Sequence, residues 1–463
     1  MTLGLILNLS IAYWAFRCWQ KGDKVTYLVI LQFMILQSYR LTILSQSLLR
    51  SDDIALLLVL TTFFLNMHKG MNRQNILSKI ITIFVCFIIL SIGVSYIYKD
   101  IPLLQVIKGA RSYLFILAFY DIWLMRKSSI AKSLYLIFML NMAFAIIFIV
   151  QTFVPGIALL TDILDESGTG SNGFLGLRRF YSFPPLLPFC CLYSIFLFPK
   201  NKKHKIFFII LCFVTLLFVQ SRGMLMYTVF LIILASLIFK ASTGRKILYG
   251  ILSLLLVILV NTTVLSGDTG RKTSNDLRQI LSGQITTMEK PDGDATFAFR
   301  VWLIKLRNEK ILSSETLNKI FGLGLFIQLT PSDAQKLGIT KILTPDGDGT
   351  LSIYTPDISY ANHLSYLGYI GTFLFLLIFV QMIRIFKRWS PNNKYAQMGM
   401  LYMLYLLATG LNGSGITYSS CLIVPFLFLR ISEIEHYFQR KYKNKINEQY
   451  RLHNSFPYHK SGK

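Results

Sequence analysis

Residues 76–98 read ILSKIITIFVCFIILSIGVSYIY, with Lys79 the only charge. A helix of this length pairs its own backbone donors and acceptors and matches a hydrocarbon layer of about 30 Å, so the stretch reads as a membrane span. Comparable apolar runs recur outward from it, near residues 2–16, 25–46, 54–67, 103–125, 133–154, 184–198, 206–219, 224–239, 247–265, 363–383, 396–411 and 417–431. Several are shorter than the ~20 residues a straight span prefers. One polar stretch, Ser266 to Tyr360, breaks the series, and such a segment cannot sit in lipid. The expected fold is an all-α polytopic membrane protein with about 12–13 transmembrane helices and one large periplasmic or extracellular loop domain containing an amphipathic helix.

Composition agrees: 54% of the 463 residues are hydrophobic and 15% are charged, the balance of a membrane bundle. The formal net charge of +25 does not point to nucleic acid, because of where the charge lies. Lys and Arg gather between alternate apolar runs, at Arg17, Lys21 and Lys24, at Arg126, Lys127 and Lys132, at Lys200 to Lys205, at Lys240 to Lys246, and at Arg384 to Lys394. That is the positive-inside pattern, which places these segments and the basic tail in the cytoplasm and the long loop outside. The chain divides into N-terminal spans (1–154), an outer loop (155–183), further spans (184–265), the loop domain (266–361), C-terminal spans (362–431) and a cytoplasmic tail (432–463). The run from Leu3 to Phe16 has no basic leader or small-residue cleavage site and reads as a retained span. The six cysteines lie in or beside apolar runs, so no disulfide framework or thiol-metal cluster is implied.

Within the loop domain, Phe297 to Leu312 places apolar residues at helical spacing, with Arg300 and Arg307 two turns apart on one face. The following Phe321-Gly322-Leu323-Gly324-Leu325-Phe326 suits a tight turn that brings backbone close to a neighbour. Asp292-Gly293-Asp294 and Asp346-Gly347-Asp348-Gly349 do not continue into calcium-ligand spacing and read as turns.

Cations within or at the edge of a span are expensive unless they face a partner or a polar cavity. Arg40, Lys108, Arg111 and Arg222 are such residues. Arg222 stands out because Gln220-Ser221-Arg222-Gly223 interrupts a long apolar run at the expected outer face; the alternative is a hairpin turn whose arginine reaches headgroups. For Arg40, Lys108 and Arg111, snorkelling or pairing with a helix carbonyl stands beside a substrate role. His363 is the one histidine expected on the outer face, in Ala361-Asn362-His363-Leu364 where the loop re-enters the membrane. It suits a general base, or else satisfies a helix terminus.

Taken in order, Gln220-Ser221-Arg222-Gly223, Arg300-Val301-Trp302, the Phe321–Phe326 segment, and Asn362-His363 followed by Leu367-Gly368-Tyr369-Ile370-Gly371 resemble the O-antigen ligase and polymerase superfamily over about residues 170 to 385. The resemblance implies a glycosyltransferase whose donor is a sugar chain on undecaprenyl pyrophosphate, acting at the outer face of a bacterial inner membrane. It gives Arg222, Arg300 and His363 catalytic roles. With several arginines and no clustered Asp/His ligand set in the sequence, no metal or other cofactor is expected. Arg178, Arg179, Arg111, Lys108, Arg40 and Asn362 are candidate substrate-binding residues. Arg178 and Arg179 are both retained because Pro184-Pro185 follows them without the longer glycine-containing approach of many relatives. A polysaccharide polymerase is the preferred reading, since a sizeable loop and many outer tyrosines suit holding two sugar chains. The alternatives are a ligase that moves the glycan onto lipid A core and a flippase of the same lipid-linked oligosaccharide. Membrane lipids and a chain-length regulator complete the candidate partners.

Overall fold

The computed structural model describes residues 3–36, 50–70, 75–154, 184, 186–198, 204–219, 222–238, 296–326, 341–343, 350–352, 359–410 and 420–455. These form fifteen α-helices and one two-stranded sheet. The N-terminal part comprises α1 (Leu3–Gln20), α2 (Lys24–Leu36), α3 (Ser51–Gly70), α4 (Ile76–Gly93), α5 (Leu103–Leu114), α6 (Ala118–Trp123) and α7 (Lys127–Phe153). Next come α8 (Leu187–Leu192), α9 (His204–Val219) and α10 (Arg222–Ile238). The polar part supplies α11 (Thr296–Leu312), α12 (Thr316–Phe321), and strands β1 (Lys341–Leu343) and β2 (Thr350–Ser352), which pair antiparallel with Ile342 opposite Leu351. The chain closes with α13 (Ser359–Trp389), α14 (Lys394–Gly410) and α15 (Ser420–Ser455).

Among the described residues, four stretches are long and apolar enough to cross a membrane: Ile76–Tyr98, Leu103–Trp123, Lys127–Phe153 and Ser359–Trp389. Local chemistry sets their limits. Asn75 caps α4 by accepting from the Leu77 amide at 3.3 Å, and a π-helical turn, Val94–Tyr98, extends it. Pro102 precedes α5, where its lack of an N–H costs nothing. A 3₁₀ turn, Phe115–Leu117, joins α5 to α6 and completes that span.

The span expected at 76–98 has these limits in the structure, and the helix expected at 297–312 is α11. The expected span 133–154 starts earlier, at Lys127. The segment separated as a tail at 432 continues α15 to Ser455, because a charged sequence can stay helical after its apolar run ends. Of the expected span 25–46, only Lys24–Leu36 is described; the span 247–265, the outer loop 155–183 and the Asp292–Asp294 and Asp346–Gly349 turns lie outside the described residues.

Between helices in lipid, apolar packing competes with equally apolar acyl chains, so buried polar contacts help choose neighbours. Asp121 on α6 is such a contact. Its Oδ1 accepts from Trp19 Nε1 on α1 at 3.1 Å and from Asn66 Nδ2 on α3 at 2.8 Å, and its Oδ2 accepts from Tyr27 Oη on α2 at 3.3 Å. Lys24 lies 3.8 Å from Oδ1 and stacks 4.1 Å over the Trp19 ring. One carboxylate thus ties four helices together. Asp121→Ala removes three hydrogen bonds and leaves buried Asn66 without this acceptor, while Tyr27 keeps Thr62 as a partner at 2.9 Å; it should lower unfolding free energy in detergent by about 2 kcal/mol, with Asp121→Asn losing less. Coincident denaturant transitions for Asp121→Ala and wild type would contradict this.

Candidate functional site

The site is organised around the first turns of α13. Helical geometry breaks at Gly368, at φ 63° and ψ −165°, dividing a short segment that bears Asn362 and His363 from the long remainder. At this break the polar part of the chain docks. Gly322, at φ 73°, sits so close that a Cβ there would fall 2.5 Å from Ser365 O, and a Cβ on Gly368 would fall 2.5 Å from Gly322 N. Only glycine at both positions allows the approach. Leu323 N donates to Ser365 O at 2.6 Å, and Leu325 N donates at 3.1 Å to Ser95 Oγ, which the π turn after α4 presents. The close backbone approach expected of Phe321–Phe326 is therefore made, to α13 and to the end of α4.

α11 crosses the same segment. Arg307, fully buried, donates from Nη1 to Asn362 Oδ1 at 2.7 Å, and Tyr369 Oη donates to Asn308 Oδ1 at 2.6 Å. His363, also fully buried, has Nδ1 2.8 Å from Tyr113 Oη on α5; its ring lies 4.6 Å from that of Phe375, centroid to centroid. His363 Nε2 is buried and makes no hydrogen bond among the described residues.

Asn362 and His363 are thus together, with Arg307 beside them. Arg300 lies on α11 seven residues before Arg307, about 10 Å along the same face; its side chain is outside the described residues. Arg222 is the first residue of α10, which packs on α14, itself packed on α13; its side chain is likewise outside them. Arg40, Arg178 and Arg179 fall wholly outside the described residues. Lys108 is half-buried on α5. Arg111 is tied within the fold: Nη2 lies 2.7 Å from Asp52 Oδ2 and Nη1 2.5 Å from Asp53 Oδ1, joining α5 to α3. This differs from the substrate role, the snorkelling and the carbonyl pairing expected for Arg111, because the packing of α3 against α5 brings two carboxylates within its reach. Among the described residues, no group of three or more His, Cys, Asp or Glu side chains is placed to hold a metal.

Sequence reading left two participants out of the site. Arg307 carried a signal, its shared face with Arg300. Tyr113 carried none, because its partner stands 250 positions away.

No protein-family model and no curated protein matches this chain.

Lys99, between the spans, fastens the docked segment by donating from Nζ to Gly322 O, while neighbouring Tyr98 donates from Oη to Glu315 Oε2 at 3.2 Å. Burial pulls the Lys99 ammonium from the ordinary 10.5 down to about 8, partly offset by the Glu315 carboxylate. Below about pH 8 both folded and unfolded chains hold this proton, and the cost of burying the cation is felt in full. Between about 8 and 10.5 only the unfolded chain holds it, so this group's contribution makes stability rise with pH. In detergent, wild type should gain thermal midpoint over Lys99→Met between pH 8 and 10; a constant or shrinking difference would contradict the assignment. Arg307→Met should leave Asn362 unpaired in a buried site and cost about 1–3 kcal/mol of unfolding free energy, read from denaturant titration. An unchanged midpoint would mean that the contact does not form.

Proposed function

We propose that the chain is a membrane glycosyltransferase of the O-antigen ligase and polymerase type. In this reading it is a polymerase that extends polysaccharide repeat units carried on undecaprenyl pyrophosphate, at the outer face of a bacterial inner membrane, with about 12–13 spans and a cytoplasmic C-terminus. The observation that carries the reading is the packing of separated motif segments around one histidine. Asn362-His363, the helix that bears Arg300 and Arg307, and the Phe321–Phe326 segment lie against one another.

The chemistry follows from the residue types. The acceptor sugar hydroxyl gives its proton to His363 Nε2, and its oxygen bonds to the donor's anomeric carbon. The bond from that carbon to the pyrophosphate breaks, and undecaprenyl pyrophosphate leaves with the electron pair. Arg222 and Arg300 meet the charge that develops on the leaving group; a guanidinium offers a planar fork to phosphate oxygens, and at Arg222 the start of a helix adds favourable potential. Lys108, Arg178, Arg179 and Arg40 are assigned to holding the diphosphate and the sugar chain. Arg111 is assigned to the α3–α5 contact instead.

In cells lacking the native gene, His363→Ala and Arg222→Ala should each reduce chain extension by about 10²-fold or more while the protein still accumulates in the membrane. Arg222→Lys should also be poor, because an ammonium does not reproduce the fork. His453→Ala, in the C-terminal part of α15, should be silent. The readout is the ladder of long-chain polysaccharide on a gel. A normal ladder from His363→Ala or Arg222→Ala would overturn the role assigned to that residue. Deletion of the gene separates the acceptors: one unit left on the core marks a polymerase, and loss of all attachment marks a ligase. Glycan extension by purified protein in detergent, with no second compartment, excludes a flippase.

A further inference from the structure

We propose that Arg388, His436 and Arg440, at the end of α13 and beside it on α15, bind the phosphate of an anionic phospholipid headgroup. Arg388 stands in the last turn of α13, and Arg440 stands one turn beyond His436 on α15. The two helices are fixed to each other at this end. The rings of Trp389 and His436 stack with centroids 5.6 Å apart and planes 24° apart, and Asn393, just after α13, donates from Nδ2 to Ser432 O at 3.2 Å. Cations from two elements are therefore brought together by packing, 52 or so positions apart in the chain.

Their charge is uncompensated. On the preceding turns of α15, Glu433 pairs with Arg430 and Glu435 with Lys127 at 2.9 Å; among the described residues neither Arg388 nor Arg440 has a carboxylate partner. Burial, and after it the Arg388 and Arg440 guanidiniums, pulls the His436 imidazole below its ordinary 6.5, so both arginines act on the same group. Lys387 and Lys441 lie exposed beside them. Like charges held together repel unless an anion joins them, and a phosphate offers oxygens to two guanidinium forks at once. The imidazole adds an N–H donor.

The surroundings favour a lipid over a soluble phosphate. Past Ile431, where its apolar run ends, α15 continues into Tyr437, Phe438 and Tyr442, each more than half exposed. The headgroup layer of a bilayer accommodates such rings, which is why aromatic side chains gather there. A basic cluster directly after a membrane-spanning helix attracts anionic lipid, and here the rings next to it meet the glycerol and the upper acyl chains of the same molecule.

The test uses full-length protein in a non-ionic detergent, with phosphatidylglycerol and phosphatidylcholine of the same acyl chains as probes and retained lipid counted by native mass spectrometry. Wild type should hold phosphatidylglycerol about tenfold or more tighter than phosphatidylcholine, and a variant carrying Arg388→Gln and Arg440→Gln should lose most of that preference. Both side chains are exposed, so the change leaves the core packing intact. Lys21→Gln, at an exposed cation between α1 and α2, should keep the preference within a factor of about two. Equal affinity of wild type for the two lipids overturns the proposal, and so does a double variant that keeps the preference. A loss as large in Lys21→Gln also overturns it, because general positive charge rather than this cluster is then at work. If inorganic phosphate at millimolar concentration displaces phosphatidylglycerol from wild type, the ligand is a soluble anion and the lipid assignment falls.

Discussion

The guanidinium of Arg307, enclosed on all sides, holds the amide of Asn362, and through that contact the polar part of the chain is fixed to the turn of α13 that bears His363. A cation removed from water is tolerated only where its donors are met by good acceptors, so this contact constrains both helices closely. The paired glycines at 322 and 368 and the Leu323 to Ser365 hydrogen bond hold the same junction from the other side. Residues far apart in the chain meet at this junction because backbone approaches backbone, which side chains larger than hydrogen would prevent.

The span 103–123 links this junction to the rest of the bundle. Arg111 binds Asp52 and Asp53 on α3, Tyr113 meets His363 on α13, and Asp121 gathers Trp19, Tyr27 and Asn66. Three polar side chains within eleven residues therefore face three different sets of neighbours, with the 3₁₀ turn at Phe115–Leu117 between the second and the third. In a medium as apolar as the side chains themselves, such contacts give helices an order of assembly that packing alone supplies weakly.

Helices were legible where periodicity and hydropathy agree. The apolar run at 76–98 and the amphipathic repeat at 297–312 are local signals, and both elements stand within a residue of their expected limits. The close approach of Phe321–Phe326 was legible because glycine's permissiveness is a local property, although its target on α13 was not. Arg111 shows the limit: its sequence context marks an expensive cation, but Asp52 and Asp53 lie 58 or more positions away, and the pair emerges only when α3 and α5 pack. Asp121 and Tyr113 gave no signal at all, since a carboxylate or tyrosine in a span becomes informative only through partners on other helices. Arg307 was visible as a companion of Arg300, yet its burial against Asn362 depends on the crossing of α11 over α13.

The central claim is that α11 and the first turns of α13 form one body at the histidine. It is tested most directly by a double-mutant cycle of Arg307→Met and Asn362→Leu, read as unfolding free energy in detergent. Each single change leaves one polar group buried without its partner and the double change leaves neither, so the double variant should be more stable than the sum of the two losses by about 1 kcal/mol or more. If the two effects simply add, the side chains do not meet, and the account is wrong at its base.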